Sequence, residues 1–386
     1  MLKPRVLRTM TWIAPGGGVD EQVKLSILGM QDEFEFHLLT GREIQSPDFV
    51  NIPGLQIHVC KWMVPEFNPL MDLLAYFWIR KFFFLNKFDL VHTHETKSSF
   101  LTRVALKKNK MPLIYGIHGV VFNDPRSRIG NKIYEILERF TINKADQIIA
   151  VSNDVRSEYW RRGIGVKLPW CVIYSGVDVG RFNLNRETKK RNSLRSFLGI
   201  RESDLVLVNI GRFSKSKNQS DSILALKALQ DGHGLFNTSL ILIGEGPEKA
   251  RCIDLVSSLN LTEHVKFLGF RPEIQDFLQI ADLNIITSLR EGLPRVVVEA
   301  SLAKVPTVGY EVEGIREIIA NGQSGYVTPQ GSVSELTVRI AELLLDSRKR
   351  IDFGRFALGL AKSKWSHIVM NDKLRALYRA IIKEKS

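Results

Sequence analysis

The sequence predicts an α/β protein made of two doubly wound, Rossmann-like domains in tandem. Three observations carry this. The chain has 386 residues, more than one ordinary hydrophobic core serves, so two domains of similar size are expected. Short β-branched apolar runs alternate with stretches of helical period through both halves. Several of those runs are apolar almost throughout, as strands are when helices cover both faces of a parallel sheet.

In the first half, strands are expected at 5–9, 34–40, 56–59, 90–93, 113–117, 147–151 and 171–174. Helices are expected at 21–30, 69–86, 97–108 and 131–145. Strand, helix and strand in succession form the βαβ repeat, which builds a parallel sheet. A polar, basic stretch from Arg181 to Arg195 then breaks the rhythm and reads as the interdomain connection. Strands resume at 205–210, 239–243, 265–268, 283–287 and 306–310, and the chain ends in helices. Two such units imply a cleft between them. Ligands of open α/β sheets bind beyond the carboxyl ends of the strands, so the chemistry is expected in those turns.

Hydrophobic residues make up 44% of the chain and charged ones 25%, the balance of an ordinary globular protein. The densest apolar clusters, such as 82–85, fall far short of the about 20 residues a spanning helix needs. Lys3, Arg5 and Arg8 alternate with apolar residues instead of preceding an apolar block, so no cleavable signal peptide is expected. Cys60, Cys171 and Cys252 are far apart and in no metal-ligand spacing, which suits reduced thiols in a cytoplasmic protein. The net charge is +13, spread over both halves. Residues 76–88 interleave aromatics with cations, and Arg103, Lys107, Lys108 and Lys110 follow. That composition fits a peripheral contact with an anionic membrane, and it fits equally a core helix with a basic edge. No RNA- or DNA-binding module accompanies the charge, so a nucleic-acid partner is not expected.

The turns carry the candidate chemistry. Gly16, Gly17 and Gly18 precede a helix expected near Asp20, where bare backbone and free amides suit an anionic group. His118 stands before a glycine at the end of an apolar run, where an imidazole can donate to a phosphate or a sugar hydroxyl. His92 and His94 share one strand face and read as structural. Arg212 and Lys217 lie on one strand-to-helix loop and together suit a diphosphate. Further glycine turns follow at 244–247 and 267–271. Glu291 precedes a helix expected to start near Pro294, and Glu299 lies just over a turn inside it. Carboxylates accept well from the paired hydroxyls of a sugar or a ribose.

Glu291 to Glu299 resembles the EX7E motif of retaining glycosyltransferases with the GT-B fold, specifically glycosyltransferase family 4, of the bacterial surface-polysaccharide type. The resemblance runs through nearly the whole chain: glycines 16–18, His118-Gly119, Val151-Ser152, Tyr174 to Asp178, Gly211 to Lys217, Gly244 to Pro247 and the segment 322–329. It implies domains over 1–180 and 181–365, with 366–386 returning as a helix onto the first. It implies that Arg212 and Lys217 bind the donor diphosphate, Glu299 the ribose, and Glu291, Gly292 and Leu293 the transferred sugar. His118 would sit by the sugar and acceptor, Gly17 and Gly18 by the phosphates, and the backbone around Gly269 by the base. Two positions depart from the family pattern: Ser175 replaces Asn, and Asn218 replaces Gly at a site where αL-tolerant Asn serves.

The resemblance further implies hexosyl transfer from a nucleotide-diphosphate sugar, first among them a UDP-sugar, to a glycan or polyprenyl-linked acceptor at the inner face of the plasma membrane. Retention by front-face displacement is expected, with Glu291 and His118 as the catalytic pair, no cofactor and no metal. A nucleotide-sugar epimerase of the same fold and a nucleic-acid binder are the competing readings.

Overall fold

The computed structural model describes residues 3–13, 17–41, 47–106, 111–122, 128–182 and 188–385. They form two compact units, residues 1–176 with 367–386, and residues 177–366.

The first unit opens with β1 (Arg5–Thr9), α1 (Gly18–Leu28), β2 (Glu35–Thr40), α2 (Pro47–Val50) and β3 (Gln56–Val59). Then come α3 (Pro69–Leu85), β4 (Leu90–Thr93), α4 (Thr96–Ala105), β5 (Leu113–Ile117) and α5 (Arg128–Thr141). It continues with β6 (Gln147–Ala150), α6 (Asn153–Arg161) and β7 (Trp170–Val172). The seven strands pair in the order β3-β2-β1-β4-β5-β6-β7, all parallel. Central strands are buried on both faces, which is why their sequences are apolar without alternation. Capping is local and legible. Asn68 accepts from the Met71 amide ahead of Pro69, and Ser152 accepts from the Val155 amide.

The second unit holds α7 (Thr188–Phe197), β8 (Leu205–Ile210), α8 (Gln219–His233), β9 (Thr238–Ile243), α9 (Lys249–Ser258) and β10 (Val265–Phe267). After these come α10 (Ile274–Ile280), β11 (Leu283–Ile286), α11 (Arg295–Leu302), β12 (Thr307–Tyr310), α12 (Ile315–Ile318) and β13 (Gly325–Thr328). Helices α13 (Val333–Leu345) and α14 (Ser347–Lys364) complete it. Its sheet runs β10-β9-β8-β11-β12-β13, again all parallel. Finally α15 (His367–Lys385) rejoins the first unit, where Met370, Leu374, Tyr378 and Ile381 enter the core with Val23, Ile27 and Phe34. Spaced by four, four and three, these four residues form one apolar stripe.

Three sequence expectations are corrected here. The stretch 181–195 is not the interdomain connection; the chain passes between units at Gly176–Val177 and returns at Ser366–His367. Arg195 is buried, and its guanidinium donates to the carbonyls of Ile280 (3.2 Å), Arg201 (2.8 Å) and Asp204 (2.5 Å). A fork of five donors satisfies buried carbonyls well, so Arg195 is a structural residue. Strand β13 was missed. It is short, begins with Gly and lies at the sheet edge, so no apolar run announces it. Arg103 is not a surface cation: it is fully buried, paired with Glu138 at 2.9 Å and stacked 3.9 Å over the Tyr115 ring. Lys107, Lys108 and Lys110 lie outside the described residues. Helix α3 combines the two readings offered for 76–88. Ala75, Ile79, Phe82 and Phe83 are buried, whereas Leu73, Phe77, Phe84 and Leu85 are exposed beside Arg80 and Lys81. Among the described residues no helix is long and apolar enough to cross a membrane.

Candidate active site

In the second unit, the loops leaving β8, β9 and β10 are stacked by backbone hydrogen bonds. The Gly211 amide donates to Ile243 O and the Phe213 amide to Glu245 O, both at 2.9 Å, and the Gly244 amide to Gly269 O at 2.8 Å. A Cβ on Gly244 would lie 2.1 Å from Gly211 O, and its φ of 141° is itself a glycine conformation. These glycines therefore let neighbouring loops touch. Below them Asn209 donates to Ser222 (2.7 Å) and Thr287 (3.2 Å), tying β8, α8 and the end of β11 together.

On this frame the β8 loop presents Arg212, which is exposed, and Lys217, which donates to the Glu291 carboxylate. Asn218 takes φ 50°, the left-handed turn that lets α8 start at Gln219. Gln219 then donates to the carbonyls of Gly211 and Arg212, both at 3.1 Å, fixing the loop's path. The Leu289 amide donates to Ser216 O at 2.7 Å, so the loops of Lys217 and Glu291 are held side by side. Pro294 caps α11 rather than lying inside it. Glu299 sits one turn from Arg295, 3.7 Å away, with both side chains largely shielded. Gly314, at φ 75°, brings its own backbone against Gly292 O, where a Cβ would stand 2.5 Å away. Leu293 is buried beneath it.

In the first unit, Gly17 caps α1 and Gly18 is its first residue, with the Glu21 amide donating to Gly17 O at 3.0 Å. Gly16 lies outside the described residues. Glu95, at the end of β4, takes φ 61° and ψ 160°, a region rarely used by any residue but glycine. Its carboxylate accepts from the Thr11 amide at 2.6 Å, holding the chain that leaves β1 toward the glycine turn. Burial raises its pKa against those amide bonds, which lower it.

His118 is partly exposed, and its Nε2 lies 2.8 Å from Nδ1 of the fully buried His94. The His94 Nε2 accepts from Arg8 Nε at 2.8 Å. Burial first, then the Arg8 charge, push the His118 pKa down to about 3. Burial, with His92, Arg8 and His118 nearby, holds His94 well below the usual range. Both imidazoles are neutral at physiological pH.

Two family models divide the chain. "Glycosyltransferase Family 4" matches residues 16–181, and "Glycosyl transferases group 1" matches residues 190–358. The chain belongs to glycosyltransferase family 4. Among curated relatives of this family member is an N-acetyl-alpha-D-glucosaminyl L-malate synthase of Bacillus anthracis, 26% identical over 276 residues, 70% of this chain and 68% of that one. Another is the UDP-Gal:alpha-D-GlcNAc-diphosphoundecaprenol alpha-1,3-galactosyltransferase of Escherichia coli, 23% identical, spanning 77% of this chain and 76% of that one. The crystal structure of Anabaena HepE in complex with UDP-glucose superposes with a TM-score of 0.82 at 22% identity, over 98% of this chain and all of that one. The fold is that of the GT-B glycosyltransferases.

In this glycosyltransferase, the expected donor-side residues Arg212, Lys217, Gly269, Glu291, Gly292, Leu293 and Glu299 all fall in the second unit, on strand-end loops and at the start of α11. His118, Gly17 and Gly18 fall in the first. Sequence reasoning missed four polar partners: Arg8, Glu95, Arg295, and Glu313, whose carboxylate faces the Glu291 amide at 3.5 Å. Of these, only Arg295 was signalled locally, by its i,i+4 spacing to Glu299.

Proposed function

We propose that this glycosyltransferase moves a hexosyl group, with retention, from a UDP-sugar to a lipid-linked glycan acceptor, without a metal. The Lys217–Glu291 pair carries the reading, because it puts a cation and a sugar-binding carboxylate on neighbouring strand-end loops. Arg212 and Lys217 hold the diphosphate, assisted by the Gly292 and Leu293 backbone at the start of α11, and offset the charge that grows as it leaves. Cationic side chains in that position supply what a divalent ion supplies elsewhere. Glu299 accepts from the ribose hydroxyls, with Arg295 holding its carboxylate. Glu291 accepts from a sugar hydroxyl, Gly17 and Gly18 leave room for the phosphates, and Gly269 borders the base.

The acceptor oxygen attacks the anomeric carbon on the face the diphosphate leaves. The C–O bond to phosphate breaks, the new C–O bond forms, and the hydroxyl proton passes to a departing phosphate oxygen. HepE complexes with UDP and with UDP-glucose support the uridine donor. The undecaprenol-linked acceptor named for the E. coli relative supports a lipid-linked one. Exposed Ile129, Ile133, Ile136 and Phe140 form one stripe on α5 and, with the α3 surface, suit peripheral contact with the inner face of an anionic membrane. Thermal-shift screening against UDP-, GDP- and ADP-sugars tests the donor, since a bound ligand raises apparent stability. Proton NMR of the product from an α-configured donor tests the stereochemistry: an α-linkage is expected, and a β-linkage rejects retention. Turnover of donor alone to an epimer rejects transfer altogether.

A further inference from the structure

Arg8 lies at the middle of the first unit's sheet, fully buried, and no carboxylate pairs with it among the described residues. Its Nε donates to His94, and its NH1 to Ser26 Oγ (3.1 Å) and Tyr378 OH (3.0 Å), while its NH2 has no partner. Burying a cation without a counter-ion is costly, so its partners need an account.

The hydrogen-bond directions follow from valence. A guanidinium has no lone pair to offer, so Arg8 Nε donates and His94 Nε2 accepts. A neutral imidazole carries one proton, which for His94 is then on Nδ1, donated to His118 Nε2. His118 must therefore carry its proton on Nδ1, and that atom makes no other hydrogen bond among the described residues. A second branch leads the other way. Tyr378 accepts from Arg8 and shares a hydrogen bond with His92 Nδ1 at 2.6 Å. Gly116 keeps the space clear, since a Cβ there would meet His92 Nε2 at 2.9 Å and His94 Nδ1 at 3.3 Å.

We propose that Arg8 is a positioning residue for glycosyl transfer: acting through His94, it fixes His118 as the Nδ1–H tautomer, so that His118 offers the substrate a hydrogen-bond donor and not a proton acceptor. This rests on the proposed glycosyl transfer and on His118 contacting its substrate, as the family resemblance implies. It removes His118 as a general base and leaves the departing phosphate as the destination of the acceptor's proton. The groups that face His118 are Arg8 on β1, His92 on β4, His94 just beyond β4, and Tyr378 on α15 behind them.

Long-range proton–nitrogen spectra of the full chain labelled at histidine, between pH 5 and 8, test it, with His118→Ala for assignment. In the native protein His118 shows a protonated Nδ1 that does not change across the range. In Arg8→Met the His118 ring becomes a mixture of tautomers and titrates, and kcat falls about tenfold with a new acid limb. Adding His94→Asn to Arg8→Met restores the donor, because an Asn amide nitrogen stands where Nδ1 stood, and returns the His118 signal and most of kcat. Should Arg8→Met not fold, His94→Leu with Arg8 in place removes the same bond. A native His118 protonated on Nε2, or a spectrum unmoved by both Arg8→Met and His94→Leu, overturns the relay. If the tautomer moves as expected but His118→Ala retains full activity, the relay stands and the substrate contact, with the positioning role, is wrong.

Discussion

Lys217 and Glu291 share one ion pair, so neither can be removed without stranding the other's charge. Lys217→Ala is expected to lower kcat/KM by about 10²-fold, the usual cost of deleting one electrostatic contact to a developing oxyanion. Glu291→Ala acts on the same pair, so the double variant loses less than the product of the two single losses. Steady-state kinetics on all four proteins read this, and multiplicative losses would show the two side chains to act separately. Glu95 offers a test of backbone strain. Both Glu95→Ala and Glu95→Gly lose the bond to the Thr11 amide, but only glycine relaxes the φ of 61°. The glycine variant should therefore be more stable than the alanine variant by about 1 kcal/mol in urea unfolding. Equal stabilities would mean that this backbone stores no strain. Residues of this kind divide sharply in legibility. Glu291 and Glu299 stand in one short motif and could be read directly. Arg8 looked like one of three basic residues near the start of the chain, because its partners His94 and Tyr378 lie 86 and 370 positions away.

At the scale of elements, β-branched runs with glycine turns located the strands that lie inside each sheet, since burial on both faces writes itself into composition. Edge strand β13, with a glycine at its start, left no such mark. Helix α7 was hidden by charge, because Arg195 is buried by bonding carbonyls that only the fold brings together. Helix α15 is the reverse case: its stripe was visible, and its partner was not. Leu374 is buried among the core of the first unit, not the second in which the preceding helix ends. Leu374→Ala should cost about 2–5 kcal/mol, the range for a truncated buried leucine. Urea unfolding followed by tryptophan fluorescence measures it, because Trp12, Trp62, Trp78, Trp160 and Trp170 lie in the first unit and only Trp365 in the second. A loss below about 1 kcal/mol would mean that α15 is not part of that core.

The whole molecule carries its pH sensitivity unevenly. His37, His58, His92, His94 and His118 all belong to the first unit, and burial lowers the pKa of each from 6.5. A histidine of this kind binds fewer protons folded than unfolded once the pH drops below 6.5. Folding stability therefore falls with pH there, by up to about 1.4 kcal/mol per unit for each group that stays neutral in the fold. His92, His94 and His118 are the strongest cases, so the first unit should weaken from pH 6.5 to pH 5. The second unit has an opposite kind of group. Glu342, bonded by Lys349, Tyr326 and Arg339, has its pKa lowered to about 2, so its contribution holds above 4.5 and is lost only as pH falls from there toward 2. Calorimetry between pH 7.5 and 3, with tryptophan fluorescence as the reporter of the first unit, separates the two windows. The fluorescence-detected transition should move to lower temperature below pH 6.5, and Arg8→Met should flatten that slope by letting His94 and His118 take up protons in the folded state. A transition that stays level to pH 5 would mean these imidazoles protonate in place, and the neutral ladder from Arg8 to His118 would not exist.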